Sequence, residues 1–418
     1  MTMSNQWQIS RRSLLQSAAA TIPLLATGAS FAAEHSAETK PSGKQEPSPP
    51  DRKIKLGVVG NGGRGSWISG LFKQHGGYEI HAVADYFQPV ADRCGDALGV
   101  DKSRRFSGLA GYKKVIESGV EALAVETPPF FISEIAAAGV EAGLHVYMAK
   151  PVAIDVPGCL RIGTAGKQAT DKHRVFLVDY QIPTDPQNIA VYRAVGEGKA
   201  GKLAHVMTTG IDGGRSDPPK TASIESRLQN LIWDNDIALG GGMNISYDIH
   251  AIDAAIWLLG RRPVVAMGGS QICRPNPHGD SCDVASVVFE YADGLIHEHF
   301  SQHLPNHTQG ELSCRVYSYN TRAFIDYWGN AIFQARGEKP LGGPVTDLYT
   351  AGAKRNIDTF YRAIVVGNFE NATAPRAVDG TLTTILGREA AVRHGRLTME
   401  ELLKENKRIE PDLSGLKA

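Results

Sequence analysis

The chain is poor in cysteine, carries no surplus of either charge and has no long hydrophobic run, and each shortage removes a class of protein. Five cysteines stand among 418 residues. They lie at 94, 159, 273, 282 and 314, and none forms a C-x-x-C pair, which argues against a structural zinc site. Cys273 and Cys282 bracket the segment RPNPHGDS, where an oxidising compartment permits a bridge but a short loop often fails its geometry; that pair stays open. Lys plus Arg and Asp plus Glu number 44 each, for a formal net charge of zero. No basic patch interleaved with aromatics points to nucleic acid. What remains, 42% hydrophobic and 21% charged, suits a globular enzyme, and the length suits a targeting segment plus two domains.

The only apolar stretch near the N-terminus, SAAATIPLLATGASFAA, is too short and too rich in Ala and Gly for a stable membrane span. It follows SRRSLLQ, with Arg11 beside Arg12, and Ser30 and Ala32 give a small-x-small cleavage pattern. Residues 1–32 therefore read as a twin-arginine-type signal peptide that engages the twin-arginine export machinery, and the expected location is periplasmic or otherwise exported. Residues 33–53, rich in Pro, Ser, Lys and Glu, read as a disordered linker.

From residue 54 the pattern changes. IKLGVVG is a short β-branched run suited to a buried parallel strand. It enters Gly60-Asn61-Gly62-Gly63-Arg64-Gly65, a GxGxxG turn, followed by the helical SWISGLFKQH. In such a turn the first glycine allows the bend, the second lets backbone reach a pyrophosphate, and the third lets helix and strand pack closely. The helix N-terminus offers free N–H groups to phosphate. A second strand, YEIHAVAD, ends in Asp85, twenty residues after Gly65 and placed to bind ribose hydroxyls. Tyr86 and Phe87 follow it rather than Arg or Lys, which favours NAD over NADP. Strand-like EALAVET, HVYMAKP and RVFLVDY alternate with helical segments through residue 182, so the expected fold is α/β, a doubly wound parallel Rossmann sheet over 54–182. Ligands gather past the carboxyl ends of such strands. Asp85, Thr127-Pro128, Lys150 and Tyr180-Gln181 all fall there, the first four as candidate cofactor contacts and the last two as candidate substrate contacts.

Taken in order, VVGNGGRG, HAVAD, VETPP, AAGVEAGLHVYMAKPVA, GEGKAGKLAHV and GGGMNISYDIHAIDAAIWLLG resemble the Gfo/Idh/MocA family of glucose–fructose oxidoreductases and inositol dehydrogenases. The resemblance spans roughly residues 54–260. It implies an NAD(P)-dependent oxidoreductase acting on the CH–OH of a sugar or polyol, with Lys150 as catalytic lysine and His250 as catalytic histidine. Ala149 stands where the family usually has Glu, and Ile132 where it has a histidine after the TP motif. The family's Asp four residues before the histidine is Ser246 here, with Asp248 and Asp253 as the nearby carboxylates. Ser246, Asp248 and Trp233 are candidate substrate contacts, and Asp253 a third catalytic candidate. The spacing predicts one helix over 243–259, with Ile245, Ile249, Ile252, Ile256 and Leu259 buried and Ser246, His250, Asp253 and Trp257 on the adjoining stripe.

Past residue 264, VVAMGGSQI, DVASVVFEY, LIHEHFSQH, LSCRVYSY and RAFIDYW read as strands, and two helical segments follow. The expectation is a C-terminal α+β domain over 183–405 with a large, mainly antiparallel sheet, serving substrate binding and homo-oligomer formation, and a tail over 406–418. His297, His299 and His303 share one strand face, which reads as a polar sheet face rather than a metal site. Lysine or histidine can take the proton when a secondary alcohol loses hydride to the nicotinamide. In that oxidoreductase reading NAD is expected to be tightly bound and retained between turnovers. Alternatively the same pair serves a redox-assisted glycoside hydrolase that uses NAD transiently with no net redox change, or the chain is a non-catalytic NAD-binding protein.

Overall fold

A β-branched run with no polar interruption stays a strand only when both of its faces are covered. The computed structural model describes residues 52–418, and it covers the first such run on both sides. Its first half alternates β1 (Ile54–Val59), α1 (Gly63–His75), β2 (Tyr78–Asp85), α2 (Gln88–Leu98), β3 (Arg105–Ser107), α3 (Gly111–Glu117), β4 (Ala122–Val125), α4 (Pro129–Glu141), β5 (His145–Met148), α5 (Val156–Asp171) and β6 (Phe176–Val178). The six strands form one sheet in the order β3-β2-β1-β4-β5-β6. All its pairings are parallel, with Val125 level with Met148 and Met148 level with Val178. The expected signal peptide and nearly all of the expected linker lie outside the described residues. At the linker's end the Arg52 guanidinium pairs with Glu121, and its carbonyl accepts from the Tyr361 hydroxyl at 2.8 Å.

The second half comprises α6 (Pro186–Gly196), β7 (Leu203–Asp212), α7 (Ile237–Gly240), α8 (Met243–Ser246), α9 (Ile249–Leu259), β8 (Val265–Gln271), β9 (Val284–Glu290), β10 (Ile296–His303), β11 (Glu311–Ser318), β12 (Thr321–Asp326), β13 (Asn330–Ala335), β14 (Leu341–Pro344), α10 (Leu348–Val366), α11 (Thr373–Val392), β15 (Arg396–Thr398) and α12 (Met399–Glu405). Its nine-stranded sheet runs β14-β13-β12-β11-β7-β10-β9-β8-β15. Only β7 and β10 pair in parallel; the other neighbours are antiparallel. The sequence reading supplies five of these strands. The central β7 alternates weakly, β13 carries only two strongly strand-favouring residues, Ile332 and Phe333, and β14 and β15 are too short to carry a periodic signal.

The two halves share their core. On α10, Ile357, Phe360 and Ile364 pack with Leu56, Phe72 and Tyr147 of the first half. On α11, Leu382, Ile385 and Leu386 join Val146 and Val178 of the first sheet to Val287 and Phe289 of the second. The chain thus crosses the 182/183 boundary once outward and returns with its last long helices.

The single helix expected over 243–259 is broken at Tyr247 and Asp248, between α8 and α9. The cause is Asp248, fully buried, whose carboxylate lies 3.2 Å from Nε2 of both His299 and His303 on β10. Reaching them turns the backbone, and the His250 N–H donates to Tyr247 O instead of continuing the ladder to Ser246.

Because α10 completes the core of the first sheet, Phe360→Ala should cost about 3–5 kcal/mol. Urea unfolding followed by circular dichroism should then show one transition at a lower midpoint; two separated transitions would mean that the halves fold independently.

Candidate active site

The glycine turn is shaped by close contacts. Gly60 has φ +88°, and a Cβ there would fall 2.6 Å from the carbonyl carbon of Glu126. A Cβ at Gly65 would fall 1.8 Å from Gly60 O, so α1 can start against β1 only with glycine. Gly62 and Gly63 face open space, leaving room for a phosphate to approach the backbone. Asp85 accepts from the Asn61 N–H at 2.7 Å and the Phe87 N–H at 3.0 Å; burial pushes its proton affinity up while those donors hold it back. The Asn61 amide and the Thr127 hydroxyl are buried without any partner. Buried polar groups are rarely left so. Gly60–Gly65, Asp85, Thr127 and Pro128 line one cleft of about 930 Å³, and an apolar recess formed by Ala84, Tyr112, Phe131 and Leu228 adjoins it. Orphaned polar atoms, an open glycine turn and a carboxylate at the β2 end together fit a dinucleotide.

At the far end of the cleft the strand register sets the chemistry. Since Val125, Met148 and Val178 are level, Glu126, Ala149 and Asp179 form the next row and Thr127, Lys150 and Tyr180 the one after. Lys150 Nζ donates to Ser246 O at 2.5 Å, the carbonyl left free by the helix break. Burial, then the charge of Arg64, lowers the Lys150 pKa to about 8. His250 stands at the start of α9 with Nδ1 buried and unpartnered, its ring 4.9 Å from Tyr327 and 6.2 Å from Tyr180. Burial and the charge of Lys150 hold its pKa well below the usual histidine value, so the imidazole is neutral. Asp234 lies 3.4 Å from Arg215, and burial raises its pKa. Trp233, Tyr327 and Trp328 add aromatic surface to the same cleft.

Lys150, His250, Ser246, Trp233 and the glycine turn thus share one cleft, whereas four expected site residues lie outside its wall. Asp253 is fully buried one turn beyond His250 and pairs with Arg376 of α11 at 3.0 Å; the helix rotation that points His250 at the cleft points Asp253 into the core. Asp248 is spent on His299 and His303 rather than on substrate. Gln181 accepts from the Tyr327 hydroxyl at 3.0 Å and donates to Asp179 at 2.9 Å, supporting the cleft from behind. Tyr180 lies under His250, its hydroxyl buried. Arg64, expected at the cofactor, also pairs with Glu126 at 2.9 Å and with Asp179. Of the three histidines on β10, His299 and His303 hold Asp248, and His297 meets Thr208 at 2.7 Å. All five cysteines are free, Cys282 donating to the Ser270 hydroxyl at 3.2 Å, so Cys273 and Cys282 are not bridged.

Sequence reasoning does not single out Glu126, Asp179, Arg215, Tyr327 or Tyr349. Glu126 and Asp179 stand at the ends of recognised strands, and the strand-end rule that selected Thr127 and Tyr180 could have found them. Nothing local marks Tyr327 or Tyr349, which arrive from the second sheet and from α10.

A Rossmann sheet with this cradle, and a lysine and a histidine at its far end, defines an NAD-binding oxidoreductase. Residues 54–180 match the oxidoreductase family model of the NAD-binding Rossmann fold, and residues 189–320 match the GFO/IDH/MocA C-terminal domain. The chain belongs to the Gfo/Idh/MocA family of oxidoreductases. It is 24% identical over 357 residues to inositol 2-dehydrogenase of Rhizobium meliloti (strain 1021), covering 81% of this chain and 96% of that one. Among solved structures, an inositol dehydrogenase homolog from Azotobacter vinelandii complexed with NAD+ superposes with a TM-score of 0.68 at 20% identity, covering 84% of this chain and 98% of that one. Levoglucosan dehydrogenase in complex with NADH and levoglucosan gives 0.68 at 15%, covering 83% and 100%.

Asp253→Asn should lower stability by about 1–3 kcal/mol, because it strips a buried ion pair of its anion. The folded variant should keep its turnover; a drop in kcat of a hundredfold or more, with the urea midpoint unchanged, would return Asp253 to the reaction.

Proposed function

We propose that this oxidoreductase transfers hydride between NAD and a secondary alcohol of a sugar or polyol, with Lys150 and His250 handling the hydroxyl proton. The observation that carries the reading is the pairing of a lysine, whose proton is loosened to about 8, with a neutral buried imidazole in the cleft that begins at the glycine turn. When bound, NAD supplies the hydride acceptor. Lys150 Nζ, anchored on Ser246 O, offers a short proton path to a hydroxyl in the cleft and, once protonated, stabilises a developing alkoxide. The rings of Trp233, Tyr327 and Trp328 suit the apolar faces of a sugar. The inositol and levoglucosan dehydrogenases among the relatives support this substrate class.

The cofactor in this reading is retained between turnovers. The C-terminal tail returns to the adenosine side of the cleft, where the Leu109 N–H donates to Lys417 O at 3.0 Å and the Lys417 N–H donates to the Tyr86 hydroxyl at 3.1 Å. Tyr86 in turn donates to Glu225 at 2.8 Å, so tail and loop meet beside Asp85. A strapped cofactor also favours the second reading, redox-assisted glycoside cleavage, in which no net NADH appears. Export rests on Arg11-Arg12 and the apolar run after them, which lie outside the described residues. Homo-oligomer formation is supported by the outer face of the nine-stranded sheet, where Met267 and Phe300 are about half exposed.

The test is to denature the purified protein, assay released nucleotide, and add a panel of sugars and glycosides to intact protein. A change in NADH absorbance with a free sugar supports dehydrogenation; glycoside cleavage without it supports the second reading; no nucleotide bound or accepted overturns both. Lys150→Ala should lower kcat by about 10²–10⁴ while nucleotide content is unchanged. In the oxidation direction kcat/KM should rise with pH through about 8, as Lys150 loses its proton; a profile flat from 6 to about 10 would remove Lys150 as the base. Truncation after Glu405 should speed nucleotide release by about tenfold, the worth of one or two lost hydrogen bonds, measured by dilution into excess unlabelled NAD.

A further inference from the structure

The reaction end contains a charge cluster that the proposed chemistry does not use directly. Glu126 and Asp179 follow β4 and β6, level with Ala149, which follows β5 between them. Adjacent strands lie about 4.8 Å apart, so the two carboxylates start about 10 Å from each other. The Arg64 guanidinium closes that gap, with Nε 2.9 Å from Glu126 and Nη2 on Asp179, and both carboxylate side chains are fully buried. It thus bridges the ends of the two strands that flank β5, after which Ala149 stands. Arg64 Nη1 donates to the Tyr349 hydroxyl at 3.0 Å, and the Trp67 and Tyr349 rings each lie 5.5 Å from its Cζ. Asn356 of α10 holds Asp179 from behind at 2.7 Å. The guanidinium is therefore fixed from α1, β4, β6 and α10, one residue short of Lys150.

We propose that Arg64, clamped across Ala149 by Glu126 and Asp179, is a positioning residue that sets the charge state of Lys150. The inference rests on the functional reading above only in giving Lys150 a task. The charged and titratable groups facing Lys150 are Arg64, Glu126, Asp179, Asp234 after β7, and His250 on α9. Burial is the largest influence against a proton on Lys150, Arg64 is the cation that adds to it, and the three carboxylates favour one. The clamp offsets the cation with two anions without letting either carboxylate bond the amine, whose only hydrogen bond among the described residues is to Ser246 O.

The experiment follows acetylation of Lys150 by acetic anhydride as a function of pH, read by peptide mass spectrometry on the full chain. Arg64→Gln removes the opposing cation and should move the labelling midpoint up by about one pH unit; Glu126→Gln removes a favouring anion and should move it down. Opposite shifts support the proposal, and shifts of one sign or of neither overturn it. Should Arg64→Gln fail to fold, Glu126→Gln decides alone, since a midpoint that does not fall is contrary. Labelling needs no turnover, so its outcome is separate from that of the hydride-transfer assays. In active enzyme the rising limb of kcat/KM with pH should follow the same two shifts.

Discussion

A guanidinium held between two buried carboxylates is the interaction around which the cleft is organised. Charges taken out of water cost several kcal/mol each unless they are paired, and a lone member of such a set is strongly destabilising. Arg64, Glu126 and Asp179 solve this together, drawing on the start of α1 and the ends of β4 and β6. Asp179 also accepts from Asn356, so the cluster ties α10 to the first sheet where Phe360 fills the core beneath.

A second buried carboxylate shapes the opposite wall. Asp248 packs so closely on β7 that a Cβ at Gly210 would fall 1.9 Å from its Oδ1. The pull of His303 and His299 keeps it ionised despite burial, and its position breaks the helix that carries His250. The broken turn frees the Ser246 carbonyl, and that carbonyl is what Lys150 finds. One contact thus joins the end of the first sheet to a helix seated on the second, and its existence depends on a polar cluster that lies outside the cleft wall.

The rim of the cleft is held by charge rather than by apolar packing. Arg227, wholly buried, pairs with Asp217 at 2.7 Å and Asp236 at 2.6 Å, and Arg274 joins Asp217 at 2.7 Å to Asp283 at 2.6 Å. These pairs brace the segment that brings Leu228, Leu231 and Trp233 over the cleft. Such a rim holds its shape without an apolar core beneath it, which suits a wall that must stay near polar ligands.

The glycine turn, Asp85, the alternation of strand and helix, and the placing of Lys150 at a strand end were legible because each rests on local rules: steric limits at glycine, the period of buried strands, and the direction in which a parallel strand delivers its last residues. His250 was legible only through resemblance, since one histidine on a helix carries no local signal. Asp253 and Asp248 look equivalent beside it in sequence. They differ in the structure because helix rotation and the helix break send one to Arg376 and the other to β10. Tyr327, Tyr349 and the tail at Tyr86 reach the cleft from residues far along the chain. Sequence alone determined where the strands end and what they carry; only the tertiary structure decided which distant side chains meet them, because burial makes each charge find a partner that local spacing does not specify.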